Sequence, residues 1–215
     1  MTLRPATSVW PAVHEERSAL IRDLENLPAS QWVTPSLCPG WDVHDVLAHL
    51  VDTAKTTRLG FLRRMVAARM DFDRDNAVGI FRERARDPEI TLAAFRSVQP
   101  RTSGPPVPSA TRLVEAVVHG EDIRRPLGIV RRYPLEPVLT AMRHQLKTSV
   151  KVGGGRELAD GLRLIATDAA FEHGTGEEVR GPAVALLLAV SGRHVRDTEL
   201  QGSGAAQLQE RSAAY

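Results

Sequence analysis

The sequence holds a single cysteine, very little lysine and no apolar run long enough to cross a bilayer. With Cys38 alone, no intrachain disulfide can form and zinc sites built from several cysteines are excluded, which fits a reducing cytosol. The longest aliphatic run, AVALLLAV at 183–190, falls far short of the roughly 20 residues that span a membrane. The N-terminal stretch MTLRPATSVWPAVHEERSALI carries no apolar core of the kind a signal peptide needs. The expectation is a soluble, cytoplasmic protein with no membrane partner. A basic block is lacking as well. Lysine occurs only at 55, 147 and 151, and arginines alternate with acids, so the net charge is +2 despite a pI near 9.0. That pattern argues against nucleic acid as a partner.

What is present is an ordinary globular composition, 42% hydrophobic and 25% charged over 215 residues, enough for a real core. Apolar residues recur at helical spacing over 8–27, ending before Pro28. In CPGWDVHDVLAHLVDTAKTTRLGFLRRMVAARM, Asp42 reads as an N-cap with Asp45 three residues on, as in a capping box, and opens a long helix. Asp87 followed by Pro88 marks another start. PRTSGPPVPSA is a loop by composition. A further helix spans about 109–125 and stops at Pro126, and LEPVLTAMRHQLKTSV follows. After the glycines at 153–155, Leu162, Leu164 and Ala166 alternate with polar residues as in a strand, Gly174 and Gly176 mark turns, and a helix resumes near Gly181 and Pro182. The reading is α+β: a helical domain over 1–150 and a small mixed α/β domain over 151–215.

Two helical stripes stand out. At about 100° per residue, Glu115, His119 and Asp122 fall within about 60° of one another on a helix that is otherwise mostly aliphatic. Residues at i and i+4 lie one turn apart on one face, so Glu115 and His119 can reach a common ion. On the earlier helix, His49 shares a stripe with Asp45, Asp52 and Thr56. A carboxylate beside a histidine can hold one ring nitrogen and free the other for a metal. Either stripe alone is more simply a solvated face. Together they offer two nitrogens and a carboxylate, the donor set of an open zinc site, although periodicity cannot show that the helices meet.

TPSLCPGWDVHDVLAHL (34–50) and EAVVHGEDIRRPLG (115–128) resemble the two signature segments of the mycothiol-dependent maleylpyruvate isomerase family, within the DinB-like metalloenzymes. DGLRLIATDAAFEHGTGEEVRGPAVALLLAVSGR resembles that family's C-terminal domain. The resemblance implies a DinB-like up-and-down four-helix bundle with a small C-terminal α/β domain. It implies Zn2+, or another divalent metal, held by His49, Glu115 and His119, with mycothiol as thiol cosubstrate. Trp41, Asp45, Asp122 and Arg124 are family-typical and are assigned to structure or to support of the ligands.

The implied activity is that of a zinc-dependent, mycothiol-using isomerase or S-transferase acting on small electrophiles, with the metal activating the thiol as thiolate. The alternative is a non-catalytic metal- or ligand-binding bundle with a stress or regulatory role. No catalytic residue beyond the metal ligands is assigned, and neither substrate nor oligomeric state is read. Arg82 and Arg211 lie in plausible regions for a substrate carboxylate, but no motif selects them. Cys38 reads as a structural thiol, Trp41 as core packing, and Glu121 with Arg125 as a helical ion pair. His14 and His44 read as solvated, and His144, His173 and His194 lack partner spacing.

Overall fold

In the computed structural model, which describes residues 8–214, the chain divides into two compact units, Met1–Ile129 and Val130–Tyr215. The first seven residues of the stretch read for a signal lie outside the described residues. The architecture is α+β, as the residue patterns implied, with nine α-helices and one three-stranded sheet among the described residues. The boundary departs from the division at 150. The helix before it belongs to the second unit, because Gln145 Nε2 donates to Ser191 Oγ at 3.0 Å and Gly155 packs on the Val190 carbonyl.

The first unit begins with α1 (Trp10–Leu24), which buries Val13, Leu20, Ile21 and Leu24. A loop leads to α2 (Val43–Lys55), where both hydrogen bonds of the capping box form: Asp45 N–H to Asp42 Oδ1 and Asp42 N–H to Asp45 Oδ2. The Arg84 guanidinium then bridges both carboxylates, at 2.7 Å and 2.8 Å. The single long helix expected from 42 onward is broken. Thr56 turns extended, and Thr57 accepts from Gly60 N–H to cap a separate α3 (Arg58–Ala67). Asp71 caps α4 (Phe72–Glu83), Asp87 caps α5 (Pro88–Val98), and α6 (Thr111–Arg124) completes the unit.

Helices α1, α2, α5 and α6 form the four-helix bundle, with α4 against α2. Leu24, Leu47, Leu50, Val51, Phe95 and Ile123 fill its core, each worth about 1.5–3 kcal/mol of burial. Arg124 is wholly buried among them, and its charge is met by α1: Nε donates to Asp23 Oδ2 at 2.7 Å and Nη1 lies 3.7 Å from Glu16. Those contacts fix the register of α6 on α1.

The second unit holds α7 (Leu135–Gln145), β1 (Leu162–Ala166), β2 (Glu172–His173), β3 (Glu177–Gly181), α8 (Ala183–Ala189) and α9 (Ala205–Ala213). β1 lies between its neighbours, antiparallel to β2 and parallel to β3, with Leu164 opposite Val179. Leu162, Leu164 and Ala166 turn inward, the alternation expected of this strand. Gly174 and Gly176 both hold positive φ, and a Cβ on either would strike a backbone carbonyl, of Leu162 or Gly161, near 2 Å. Only glycine allows that turn to pass so close to β1.

His44 corrects an expectation. It is 3% exposed rather than solvated, and its Nε2 meets Thr91 Oγ1 at 2.8 Å. Because Thr91 Oγ1 already accepts from Ala85 N–H, its hydroxyl proton is available to a neutral imidazole. Burial, then the nearby Arg84 charge, lowers the His44 pKa to about 4. A histidine depressed below its unfolded value of about 6.5 stabilises the fold above that pH, and the contribution is lost as pH falls toward 4. Urea unfolding followed from pH 7.5 to 4 is therefore expected to show stability falling between 6.5 and 4. His44→Gln, which can still accept from Thr91, should flatten that slope; an unchanged slope would contradict this assignment.

Candidate metal centre

The site is assembled where α2, α6 and the loop 34–42 meet. Gly40, at φ +78°, turns the loop, Trp41 N–H donates to the Cys38 carbonyl, and Leu37 N–H donates to the Asp122 carbonyl of α6 at 3.2 Å. That last bond pins the loop to α6 and sets Cys38 over its polar stripe. Cys38 Sγ–H donates to Asp122 Oδ2 at 3.0 Å, and the same oxygen accepts from His119 Nδ1–H at 2.8 Å. Asp122 is wholly buried, so a carboxylate receiving two donors satisfies a charge that would be costly if left alone.

The structure brings His49 and His119 together. Their rings meet edge to face with centroids 4.9 Å apart, and Trp41 covers both, 5.1 Å from His49 and stacked on His119 at 6.4 Å. Trp41 thus does more than fill the core: it walls the histidine pair. Glu115 lies one turn before His119, but its carboxylate is turned to Arg112, with Oε2 at 2.9 Å from Nη1. Among the described residues, the trio whose ligand atoms converge within 4.8 Å is Cys38, His119 and Asp122, a cluster that could hold a metal ion.

The acids beside His49 do not serve it. Asp45 is committed to the capping box and Arg84, and Asp52 is ion-paired with Arg64 at 2.7 Å and with Arg82. His49 Nδ1 is instead buried with no hydrogen-bond partner. Burial, followed by the positive fields of His119, Arg112 and Arg64, holds the His49 imidazole well below its ordinary pKa, so it is neutral with a lone pair to offer. For His119, burial opposes the charged form, yet the hydrogen bonds to Asp122 and Cys38 prevail and raise its pKa to about 10. With Nδ1–H given to Asp122, the second proton sits on Nε2, the nitrogen a cation would claim in its place.

The other sequence candidates fall elsewhere. Arg82 spans Asp52 and Glu83, and Arg211 donates to the carbonyls of Leu158 and Asp160 within the second unit. Glu121 and Arg125 form the expected i,i+4 pair at 2.8 Å. The role of Cys38 escaped sequence reasoning because no local spacing relates residue 38 to residue 122.

Residues 13–106 match the sequence family described as the mycothiol maleylpyruvate isomerase N-terminal domain. The matched segment contains Cys38, Trp41 and His49, while Glu115, His119 and Asp122 lie beyond it. Two solved structures share the fold of the whole chain. A histidine-to-alanine mutant of mycothiol-dependent maleylpyruvate isomerase superposes with TM-score 0.65 at 15% identity, covering 95% of this chain and 97% of the other. A second structure of that enzyme gives 0.62 at 16% identity with the same coverage. No curated protein sequence matches the chain.

The hydrogen bond to Asp122 has a direct spectroscopic consequence. In the metal-free protein, a low-field, slowly exchanging His119 Nδ1–H proton is expected by NMR. Asp122→Ala should abolish it and Cys38→Ser should retain it; persistence in Asp122→Ala would show that another group holds the ring.

Proposed function

We propose that this chain is a mycothiol-dependent isomerase or S-transferase acting on small electrophiles in the cytoplasm, with a divalent metal, zinc by preference, held by His49, Glu115 and His119. The observation that carries this reading is the buried, neutral, unpartnered Nδ1 of His49 beside the His119 ring. An orphaned buried nitrogen costs roughly 1–3 kcal/mol, and a cation would satisfy it. The donor set suits zinc, since two imidazoles and one carboxylate leave a coordination position open. The likeness of residues 13–106 to the mycothiol maleylpyruvate isomerase N-terminal domain supports mycothiol as the thiol.

A bound cation at this site would lower the pKa of a coordinated thiol and keep it nucleophilic at neutral pH. The chain's own residues do the rest of the work. Asp122 fixes the His119 tautomer by accepting from Nδ1, and Cys38 shares that acceptor and keeps the carboxylate in place. Trp41 excludes water from the two imidazoles, which strengthens every charge interaction beside them. The α2 acids Asp45 and Asp52 are ion-paired with Arg84 and with Arg64 and Arg82, so they do not compete for the ion.

A second reading has its own observation: the convergence of Cys38, His119 and Asp122 would let that trio hold the ion, in a bundle that binds metal without catalysis. Substitution separates the two. Elemental analysis of protein purified without added metal is expected to find about one divalent ion per chain, lost in His49→Ala and Glu115→Ala and retained in Cys38→Ser. Loss in Cys38→Ser with retention in Glu115→Ala would favour the second reading. Mixing loaded protein with mycothiol and maleylpyruvate or a chlorinated aromatic should consume thiol or isomerise the substrate; absence of both would sink the enzymatic proposal.

A further inference from the structure

Helix α3 buries a single side chain. Of its ten residues, Arg58–Ala67, only Met65 is inside, and the first turn contains Gly60 and no acid. A helix this short is marginal in water and draws its stability from packing an apolar face. Yet the apolar face of α3 is turned outward. Leu59, Leu62 and Val66 fall within about 60° of one another on the helix, and all three are exposed, Val66 at 76%.

The neighbouring helix repeats the pattern. Arg64 of α3 pairs with Asp75 of α4 at 2.8 Å and joins the two into a hairpin. Met70 in the turn and Phe72, Val78 and Phe81 on α4 are exposed, Phe81 at 87%. Of the thirteen large hydrophobic side chains exposed among the described residues, seven therefore lie between 59 and 81. Single exposed apolar residues are ordinary, but such a concentration on one hairpin marks an interaction site.

The charges select what covers it. On the helical wheel Arg58 and Arg63 flank the apolar stripe of α3, which carries no acid, whereas α4 opens with Asp71 and Asp73. Arg58, Arg63 and Asp73 are exposed and enter no ion pair among the described residues. One hairpin thus presents both members of a charge pair that it does not make within itself, the condition for a twofold contact in which α3 of each copy meets α4 of the other. An anionic lipid surface would be repelled by the same acids. Arg74 is the further cation on the outer face of α4, and arginine is enriched at interfaces where lysine is depleted.

We infer that the outer face of the α3–α4 hairpin is the contact between two copies of this chain, with Leu59, Leu62, Val66 and Phe81 at its centre and the arginines of each α3 set against the acidic start of the other copy's α4. The partner supplies the apolar cover that α3 lacks within its own chain.

Sedimentation velocity over a micromolar concentration series tests this. The intact chain is expected to sediment as a dimer that dissociates on dilution, and Leu62→Glu and Phe81→Glu should each raise the dissociation constant by roughly tenfold or more. Arg63→Glu and Asp73→Arg should each weaken self-association, because like charges then face one another. An equimolar mixture of those two variants should dimerise again, since the mixed dimer restores both cross-pairs. Circular dichroism identifies any variant that fails to fold. An intact chain that stays monomeric throughout the series overturns the proposal, whether or not it binds vesicles of phosphatidylglycerol and phosphatidylcholine. A dimer that persists unchanged in folded Leu62→Glu and Phe81→Glu overturns it too, and no recovery in the mixture overturns the crosswise setting of α3 on α4.

Discussion

The site depends on the docking of α6 against α2 with the loop 34–42 clamped to it. Two imidazoles from different helices cannot lie 4.9 Å apart by local preference; helix packing must place them there. The buried Arg124, paired with Asp23 and Glu16, fixes α6 from the α1 side, and the Leu37 bond to the Asp122 carbonyl fixes the loop from the other. Between those anchors the Asp122 carboxylate accepts from the His119 ring at 2.8 Å. The shared oxygen of Asp122, accepting from both Cys38 and His119, is the point through which loop and helix act on the imidazole.

Much of this was legible in the residues, for identifiable reasons. The Asp42 and Asp45 capping box, the Asp87 cap before Pro88 and the alternation of Leu162, Leu164 and Ala166 are local signals, and local signals survive into the fold. The helical pattern running past 55 did not, because Thr56 and Thr57 offered a stop and a cap that periodicity does not weigh. His44 looked solvated because nothing nearby in sequence reveals Thr91 of α5 as its partner. The placement of α7 in the second unit likewise rests on its contact with Ser191, far along the chain.

For the site itself, helical spacing singled out Glu115, His119 and Asp122, but not their division of labour. Asp122 serves His119 from three residues away, while the acids flanking His49 are taken by arginines from α3, α4 and the segment after α4. The outcome is chemically coherent. One histidine is neutral and lacks a hydrogen-bond partner, the other is oriented by a carboxylate, and the third candidate donor is held by a cation on its own helix.

X-ray absorption at the zinc edge of the loaded protein tests the central claim most directly. The account predicts two imidazole nitrogens and a carboxylate oxygen near 2.0–2.1 Å with no protein sulfur in the absence of thiol. A scatterer near 2.3 Å in that thiol-free sample would place Cys38 on the ion and contradict the assignment of His49, Glu115 and His119.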